Sequence, residues 1–209
     1  MDKIILASGS PRRRQLLVQV GIPCQVIVSG ADESIEGPPD YQVRELALRK
    51  AGAVQELVET EAAKNSADRC TTTNSPGGAP VIIAADTLVY IDEIALGKPS
   101  SPEDAFAMLK SLAGRAHTVY TGVAILKGAK AISFVDTAKV YFRKLSDDEI
   151  RAYIATGEPF DKAGSYGVQD RGALLVDRVE GDYFTVVGLP VAKVAVALRD
   201  IGVEVWDLN

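Results

Sequence analysis

The chain has 209 residues and a net charge of −5 at neutral pH, and hydrophobic residues make up 47% of it. A chain of this length and apolar content can bury a substantial core without staples, and its negative charge argues against a nucleic-acid-binding surface. Two cysteines and one histidine argue against a disulfide framework and exclude metal sites built from several histidines. There is no membrane-spanning apolar run and no signal-peptide pattern, so we expect a cytoplasmic protein.

The amino-terminal segment predicts a strand, a turn of small residues and a helix that begins with three arginines. Residues 4–6 are the apolar strand, Ser10 is a suitable N-cap, Pro11 suits the first helical position and Gly21 ends the helix. The free N–H groups of a helix start and the forked guanidinium groups of residues 12–14 both bind phosphate oxygens. The segment therefore predicts a polyphosphate site. Read alone, it is equally consistent with a solvated basic turn.

The next part of the chain predicts a half-buried strand and a long helix separated by an acidic loop. The strand covers residues 24–29, and the helix runs from Tyr41 to about Glu61 with Asp40 as its cap. The polar stretch 64–80 that follows predicts an extended surface loop, to which we assign no chemistry.

A continuous apolar run at residues 81–85 is typical of a strand buried on both faces, and Asp86 follows at its end. An unpaired carboxylate is unfavourable to bury, and ligand sites in open α/β sheets lie at strand ends. Asp86 is therefore a candidate general base or metal ligand, and Thr87 beside it can hydrogen-bond a base or ribose. A turn aspartate and an ordinary strand threonine are the alternative interpretations.

The remaining elements follow from hairpin, turn and capping signals. They are, in chain order, a helix from Ser101, a hairpin of 117–127 and 131–143, a helix opened by the capping box at 146–149, strands at 172–180 and 183–187, a helix from Pro190 to about Asp200 and an edge strand at 201–208. Strands and helices alternate, and the hairpin rules out an all-parallel sheet. The predicted fold class is therefore α/β, with a long mixed β-sheet flanked by helices.

Acidic residues in the loop before the long helix are candidate metal ligands. Glu33 and Asp86 could together hold Mg²⁺ or Mn²⁺ against phosphate groups, because such ions take few carboxylates plus substrate oxygens. Asp32 and Glu36 compete with Glu33 for this role. A solvated loop acid is the plainer interpretation of all three.

Three lysines and one glutamine complete the candidate site. Lys98 is displayed in a short loop between glycine and proline, and Lys50 lies on the long helix. The glycine-bearing loop after residue 160 contains Lys162 and ends at Gln169, whose amide can read the edge of a pyrimidine. Each of these alone is a weak signal, whereas their combination with the arginine turn and Asp86 is stronger.

The chain resembles the Maf family of nucleoside triphosphate pyrophosphatases, which is related in fold to the inosine-triphosphate pyrophosphatases. The matching stretches are Ser-Gly-Ser-Pro-Arg-Arg at 8–13, Ala-Ala-Asp-Thr at 84–87, Gly-Lys-Pro at 97–99, the loop at 161–169, Gly-Asp at 181–182 and Val-Gly-Leu-Pro at 187–190. The resemblance covers nearly the whole chain. It implies a single domain over residues 1–209 with two lobes around a central cleft.

The resemblance also implies an activity: hydrolysis between the α- and β-phosphates, giving a nucleoside monophosphate and pyrophosphate, with a divalent metal cation (Mg²⁺ or Mn²⁺). Asp86 matches the family's proton acceptor. Arg12, Thr87 and Gln169 match the substrate-discriminating positions of the branch that acts on dTTP and UTP, whereas the branch that acts on 7-methyl-GTP has Trp, Gln and Glu there. The other residues expected to line the cleft are Ser8, Arg13, Glu33, Lys50, Lys98 and Lys162. A homodimer, and no nucleic-acid or membrane partner, are further expectations.

Two other functions would use a similar phosphate site. A nucleotide-binding regulator without turnover would need the arginine turn but not Asp86. A nucleotidyltransferase would transfer the monophosphate to an acceptor substrate. An assay of pyrophosphate release from dTTP and Mg²⁺ separates the regulator from the pyrophosphatase.

Overall fold

The computed structural model describes residues 2–67 and 78–205. Its helices and strands are, in chain order, β1 (Ile4–Leu6), α1 (Pro11–Gln19), β2 (Gln25–Val26), α2 (Pro39–Ala67), β3 (Val81–Ile91), β4 (Ile94–Leu96), α3 (Pro102–Leu112), β5 (Ala116–Lys127), β6 (Lys130–Phe142), α4 (Asp147–Ile154), β7 (Val176–Glu180), α5 (Tyr183–Val187) and α6 (Val191–Asp200). Short 3₁₀ turns lie between α4 and β7, at residues 158–161, 163–165 and 170–175. Among the helices of the described residues, none combines the length and the apolar character needed to cross a membrane.

Within the described ranges, seven strands form one mixed sheet in the order β2-β1-β3-β5-β6-β7, and β4 pairs with β3 off this path. β1 pairs in parallel with β2 and β3, whereas the remaining pairs are antiparallel. The β5–β6 hairpin turns at residues 128–129, as the sequence predicts. The predicted α/β class, with a long mixed sheet flanked by helices, is confirmed.

Alternate residues of the central strands pack against helices on opposite faces of the sheet, because successive side chains of a strand point to opposite sides. On one face, Leu6 and Ile83 belong to a core shared with α1 and α6. On the other face, Ile5 and Ile82 pack with α2. Val89, further along β3, belongs to another core that includes α3 and α4. The polar centre of β3 therefore lies between apolar cores.

β3 is one continuous strand of 11 residues, although the sequence predicts that it ends before Asp86. It pairs with β5 from Val81 to Tyr90, so Asp86 lies near the middle of the ladder. The strand is buried up to Ala85 and only partly buried at the next three positions. The predicted strand end is therefore wrong. The apolar run ends at Ala85, after which three residues are only partly buried, whereas the strand continues to Ile91.

α2 lies against the sheet at Gly122, which is the ladder partner of Asp86. A Cβ atom at Gly122 would lie 2.2 Å from the carbonyl oxygen of Val43 in α2, so only glycine permits this approach. The close contact holds α2 against the strands that carry the polar centre. Lys50, about two turns further along the helix, then reaches the Asp86 carboxylate.

The starts of α1 and α4 follow the predicted signals, whereas α2, predicted from Tyr41 to about Glu61, extends beyond both bounds. Ser146 and Glu149 form the predicted capping box of α4. Ser10 occupies the N-cap position of α1 in an extended conformation, although its side chain makes no capping hydrogen bond. Asp40, the predicted cap of α2, lies inside the first turn instead. The helix already begins at Pro39, and proline is well suited to a first helical position.

Two stretches predicted as strands adopt helical turns. Residues 183–187 form α5, because Asp182 caps its start by accepting the N–H of Phe184, and Gly188 ends it with a φ of 114°. Residues 172–175 belong to a 3₁₀ turn, so the predicted strand is shortened to β7. At 183–187 the capping geometry outweighs the strand preference of the valines and aromatic residues, and at 172–175 a local turn geometry replaces the predicted start of the strand.

Three further boundaries differ from the predictions. The strand predicted at 24–29 is reduced to β2, which has two residues. The described residues 201–205 contain no strand, and the rest of the predicted edge strand at 201–208 lies outside the described residues. The loop predicted at 64–80 begins as the last turn of α2, and residues 68–77 also lie outside the described part.

Candidate active site

A cavity of ≈ 690 Å³ opens over the polar centre of β3, and its volume is within the range of small-molecule sites. It brings together ten residues nominated from the sequence, which lie on six separate segments of the chain. They are Ser8, Arg12, Arg13, Glu33, Lys50, Asp86, Thr87, Lys98, Lys162 and Gln169. Asp86 and Arg12 therefore share one cavity, which is the geometric condition that a phosphate-processing site must meet.

Lys50 bridges two carboxylates at the centre of this cavity. Its Nζ lies 2.6 Å from Asp86 Oδ1 and 3.0 Å from Glu33 Oε1. The side chains of Lys50 and Asp86 are 10% and 16% exposed, whereas that of Glu33 is 64% exposed. One ammonium group between two carboxylates leaves the cluster negative. The contact with Lys50 also fixes the orientation of the Asp86 carboxylate.

The same two carboxylates are the candidate ligands for a divalent cation. Because both contact the same nitrogen atom, Glu33 and Asp86 present their carboxylates to the same part of the cavity. The described residues contain no group of three or more His, Cys, Asp or Glu side chains that could hold a metal by themselves. Mg²⁺ is commonly held by one or two carboxylates plus phosphate oxygens. The donor set therefore fits a cation that binds together with a triphosphate.

The geometry also separates the competing acids of the loop before α2. Glu33 lines the cavity and contacts Lys50. Asp32 instead accepts the N–H of Ser34 at 2.9 Å in an exposed turn. That backbone hydrogen bond lowers the pKa of Asp32 below its ordinary value. Among these acids of the described loop, Glu33 is thus the one that lines the cavity.

Arg13 is engaged by the protein itself. Its Nε donates to the carbonyl oxygen of Gly188 at 2.8 Å, Nη1 to Ser8 Oγ at 3.1 Å and Nη2 to Thr87 Oγ1 at 3.0 Å. Burial of the guanidinium lowers the pKa of Arg13, and the nearby Asp86 carboxylate opposes this effect. An arginine keeps its charge under such conditions. Arg13 therefore supplies a fixed positive charge and holds other site residues in place.

Arg12 makes a single exposed ion pair. Its Nη1 lies 3.1 Å from Asp161 Oδ2, and the other oxygen of Asp161 lies 2.7 Å from Lys162 Nζ. Burial raises the pKa of Asp161, but hydrogen bonds and charges from Lys162 and Arg12 outweigh it, so the pKa lies below the ordinary value. Exposed ion pairs contribute little stability. Arg12 can therefore turn to an incoming phosphate with little loss, whereas Lys162, whose side chain is 11% exposed, also donates to the carbonyl oxygen of Glu158.

The two loops that carry the remaining candidates are joined by a backbone hydrogen bond. The N–H of Gly164 donates to the carbonyl oxygen of Gly97 at 2.9 Å. This bond links the exposed Lys98 to the loop that carries Lys162 and the partly buried Gln169. The two loops therefore form one wall of the cavity.

A buried histidine supports this wall, and sequence reasoning did not identify it. His117 Nε2 lies 2.7 Å from the hydroxyl of Tyr166, and its ring packs edge-on against Tyr166 and Phe142. Burial lowers the pKa of His117 to about 4. The ring is therefore neutral at physiological pH. Its contacts are those of a packed core residue.

A row of hydroxyl groups behind Thr87 was also missed. Thr121 Oγ1 lies 2.9 Å from Thr87 Oγ1 and donates to the carbonyl oxygen of Thr185 at 2.8 Å. Thr185 in turn donates to Asp136, which also contacts Lys193 at 2.6 Å. The only signal for Thr121 is its register opposite Thr87, and that register becomes known once β3 and β5 are paired.

The chain is similar to proteins of one known family over nearly its whole length. A profile of the Maf-like protein family matches residues 3–201 of this chain. A protein of Moorella thermoacetica named dTTP/UTP pyrophosphatase is 47% identical over 211 residues, covering 99% of this chain and 98% of that protein. Proteins of the same name from Bacillus cereus and Bacillus anthracis are 43% and 42% identical, over 98% of this chain and of each relative.

Proposed function

The chain belongs to the Maf-like protein family, and on this premise we propose that it hydrolyses dTTP and UTP to the nucleoside monophosphate and pyrophosphate. The observation that carries the proposal is the cluster of Lys50, Asp86 and Glu33 in the same cavity as the arginine turn. A cationic turn accounts for binding of a triphosphate. The carboxylates beside it account for chemistry on that triphosphate.

Binding of the triphosphate uses the turn before α1 and the exposed cations around it. The first N–H groups of α1 and the positive end of its dipole favour an anion, and Ser8 lies next to them. Arg12 and Lys162 exchange their shared partner Asp161 for phosphate oxygens. Lys98 adds a further positive charge from the neighbouring loop. These side chains neutralise the charge that develops on the pyrophosphate leaving group.

The hydrolytic step depends on Asp86. Its carboxylate, held through one oxygen by Lys50, orients or deprotonates a water molecule for in-line attack on the α-phosphorus. Glu33 and Asp86 would hold the divalent cation that binds with the nucleotide, and the cation would supply charge neutralisation at the phosphates. Lys50 keeps the two carboxylates close together and faces the same phosphates.

Recognition of the base falls to Gln169 and Thr87. Gln169 offers both an amide donor and a carbonyl acceptor, which matches the alternating donors and acceptors on the edge of uracil or thymine. Thr87 lies on β3 next to Asp86 and offers a hydroxyl group to the nucleoside. A homodimer and a cytoplasmic location stay predictions of the sequence.

A pyrophosphate-release assay with dTTP or UTP and Mg²⁺ tests the proposal. We expect one pyrophosphate and one nucleoside monophosphate per substrate, and no release of single phosphates. Tight binding of dTTP without turnover would contradict the proposal and favour a regulator. Transfer of the monophosphate to an acceptor would favour a nucleotidyltransferase.

A further inference from the structure

Asp136, on β6, is a buried charged residue that does not line the cavity. Its Oδ1 accepts the N–H of Thr137 at 3.0 Å and the ammonium group of Lys193 at 2.6 Å, and its Oδ2 accepts the hydroxyl of Thr185 at 2.6 Å. Burial raises the pKa of Asp136, but these three hydrogen bonds outweigh it, so the pKa lies below the ordinary value. The carboxylate is therefore ionised at neutral pH and is fixed by all three partners.

Thr185 is fully buried and transmits this contact to the end of α5. The N–H of Gly188, the residue that ends α5, donates to the carbonyl oxygen of Thr185 at 3.1 Å and to that of Phe184 at 3.0 Å. The carbonyl oxygen of Thr185 also accepts the hydroxyl of Thr121 at 2.8 Å. The side chain of Thr185 is thus held by β6, while its backbone is bonded to Gly188. The position of Gly188 therefore depends on the contact between Asp136 and Thr185.

Gly188 in turn contacts the guanidinium group of Arg13. Its carbonyl oxygen accepts Arg13 Nε at 2.8 Å. The backbone approaches closely here, because Gly188 has a φ of 114° and a Cβ atom at this position would lie 3.4 Å from Arg13 Nε. A guanidinium is planar and rigid, so a hydrogen bond at Nε sets the plane in which both terminal nitrogens lie. The orientation of Arg13 therefore follows the position of Gly188.

Arg13 keeps hydrogen-bond donors for a ligand. A guanidinium has five N–H groups, and Arg13 uses three of them, on Gly188, Ser8 and Thr87. Within the part of the chain that the structure describes, one N–H stays available on each terminal nitrogen, and Arg13 lines the cavity. Paired N–H groups of a guanidinium can bind two phosphate oxygens at once. The contact at Nε consequently sets how these donors meet a phosphate.

We propose that Asp136 is a positioning residue that acts through Thr185 and Gly188 on the guanidinium group of Arg13. It holds the end of α5, and the end of α5 holds Arg13 in the orientation that meets the substrate phosphates. The inference rests on the proposed function, because it requires that the chain binds a nucleoside triphosphate. A purely structural role would let Asp136 stabilise the packing of α5 without any effect on Arg13. The two roles therefore differ in what happens to Arg13 when the contact is broken.

Two substitutions break the contact from its two sides. Asp136→Ala removes the carboxylate. Thr185→Val removes the hydroxyl but keeps the shape of the side chain and the carbonyl oxygen that Gly188 binds, and it serves alone if Asp136→Ala does not fold. Thr185→Ser keeps the hydroxyl and should restore the wild-type behaviour. Lys193→Met is the matched control, because it removes an exposed partner of the same carboxylate and leaves the contact with Thr185.

The first measurement is the rate at which the Nε–H proton of Arg13 exchanges with water, followed by NMR. The signal is identified by its loss in Arg13→Lys. A proton held in a hydrogen bond within the protein exchanges slowly. We expect exchange to be about tenfold faster in Asp136→Ala and Thr185→Val than in the wild type, and unchanged in Thr185→Ser and Lys193→Met. An unchanged rate in Thr185→Val would overturn the proposal, even if that variant were less active.

The second measurement is kcat/KM for dTTP, with urea unfolding to confirm that each variant is folded. We expect a fall of about tenfold in Asp136→Ala and in Thr185→Val, because a misoriented Arg13 meets the phosphates poorly. The double variant should lose no more than either single variant, since both substitutions break one contact. A kcat/KM in Thr185→Val within about twofold of the wild-type value would overturn the proposal. Additive losses in the double variant would do so as well.

A binding measurement separates failure of this inference from failure of the proposed function. Calorimetry with the α,β-imido analogue of dTTP requires no turnover. If the chain releases no pyrophosphate, while Thr185→Val binds the analogue about tenfold more weakly and exchanges the Arg13 proton faster, the positioning role is supported and the enzymatic proposal is contradicted. If the chain hydrolyses dTTP, and Thr185→Val changes neither kcat/KM nor the exchange rate, the positioning role is contradicted and the enzymatic proposal is supported.

Discussion

Positive charge is held in two different ways on the two sides of the cavity. We call one side the floor, which consists of Ser8, Arg13, Asp86, Thr87 and Thr121, and the other the rim, which consists of Arg12, Lys98, Asp161 and Lys162. Arg13 in the floor makes three hydrogen bonds to partly or fully buried partners. Arg12 in the rim makes one ion pair, to an aspartate whose side chain is 59% exposed.

Because they are held differently, the two sides suit different roles. Groups in the floor are fixed before any ligand arrives, so Arg13 can hold Ser8 and Thr87 in place without reorganisation. Arg12 in the rim is held only by an exposed ion pair, so it is available for a substrate that carries stronger negative charge. The following predictions test this division, from the largest expected effect to the smallest.

Loss of the Asp86 carboxylate in the floor should have the largest effect. In Asp86→Asn we expect kcat for dTTP to fall on the order of 10²–10⁴-fold, because the amide cannot accept the proton of the attacking water. The measurement is steady-state pyrophosphate release. Asp161→Asn, the same substitution in the rim, is the matched control and should retain kcat. A parental rate in Asp86→Asn would show that the floor does not supply the base.

The buried support of the rim predicts a pH dependence of stability. The pKa of His117 is about 4 in the folded protein and about 6.5 in the unfolded chain. Between these values the unfolded state binds a proton that the folded state does not, so stability falls as pH falls. Above pH 6.5 His117 is neutral in both states, and the folded protein has its full stability with respect to this residue. Below pH 4 the free energy of unfolding has fallen by about 3 kcal/mol because of this residue.

The measurement is the free energy of unfolding by urea between pH 7.5 and pH 4, in the wild type and in His117→Gln. The variant cannot titrate at this position, so its stability should decline less steeply over that range. Carboxylates such as Asp136 and Asp161 titrate in both proteins, and the difference between the two curves removes their contribution. Parallel curves would contradict the assignment of a buried neutral histidine.

The two adjacent arginines allow a direct comparison of floor and rim. Arg13→Met leaves three acceptors without their donor, and we expect a loss of about 2 kcal/mol in the free energy of unfolding. Arg12→Met removes one exposed ion pair and should change stability by less than about 1 kcal/mol. Thermal and urea unfolding of both variants give these values. Equal losses in the two variants would remove the distinction drawn between the two sides.

The smallest effect on stability is expected when the rim loses its own acid. Asp161→Asn removes the charged partner of Arg12 and Lys162, which leaves Arg12 free for phosphate while Lys162 keeps its hydrogen bond to the carbonyl oxygen of Glu158. We expect a change of less than about 1 kcal/mol in stability, and a KM for dTTP that is equal to or lower than that of the wild type. Steady-state kinetics at low ionic strength provide the measurement. A severalfold rise in KM would instead show that Asp161 positions Arg12 for the substrate.

Much of the fold and the membership of the site could be predicted because the signals are local. The capping box at Ser146, the hairpin between β5 and β6 and the apolar run that opens β3 all act within a few residues. The errors have the same origin. Residues 183–187 have the composition of a strand, and the capping bond from Asp182 together with the left-handed Gly188 makes them a helix.

The sequence by itself determined that a strand, a small-residue turn and an arginine-rich helix start follow one another in one segment, because strand, cap and helix preferences are properties of neighbouring residues. It also nominated Asp86, since a carboxylate after five apolar residues requires a partner. Only the tertiary structure decided that Lys50 is that partner and that Arg12 and Arg13 differ. Arg13 meets Thr87 and Gly188, which are 74 and 175 positions away. Such contacts depend on how the sheet brings distant segments together, and no local pattern encodes them.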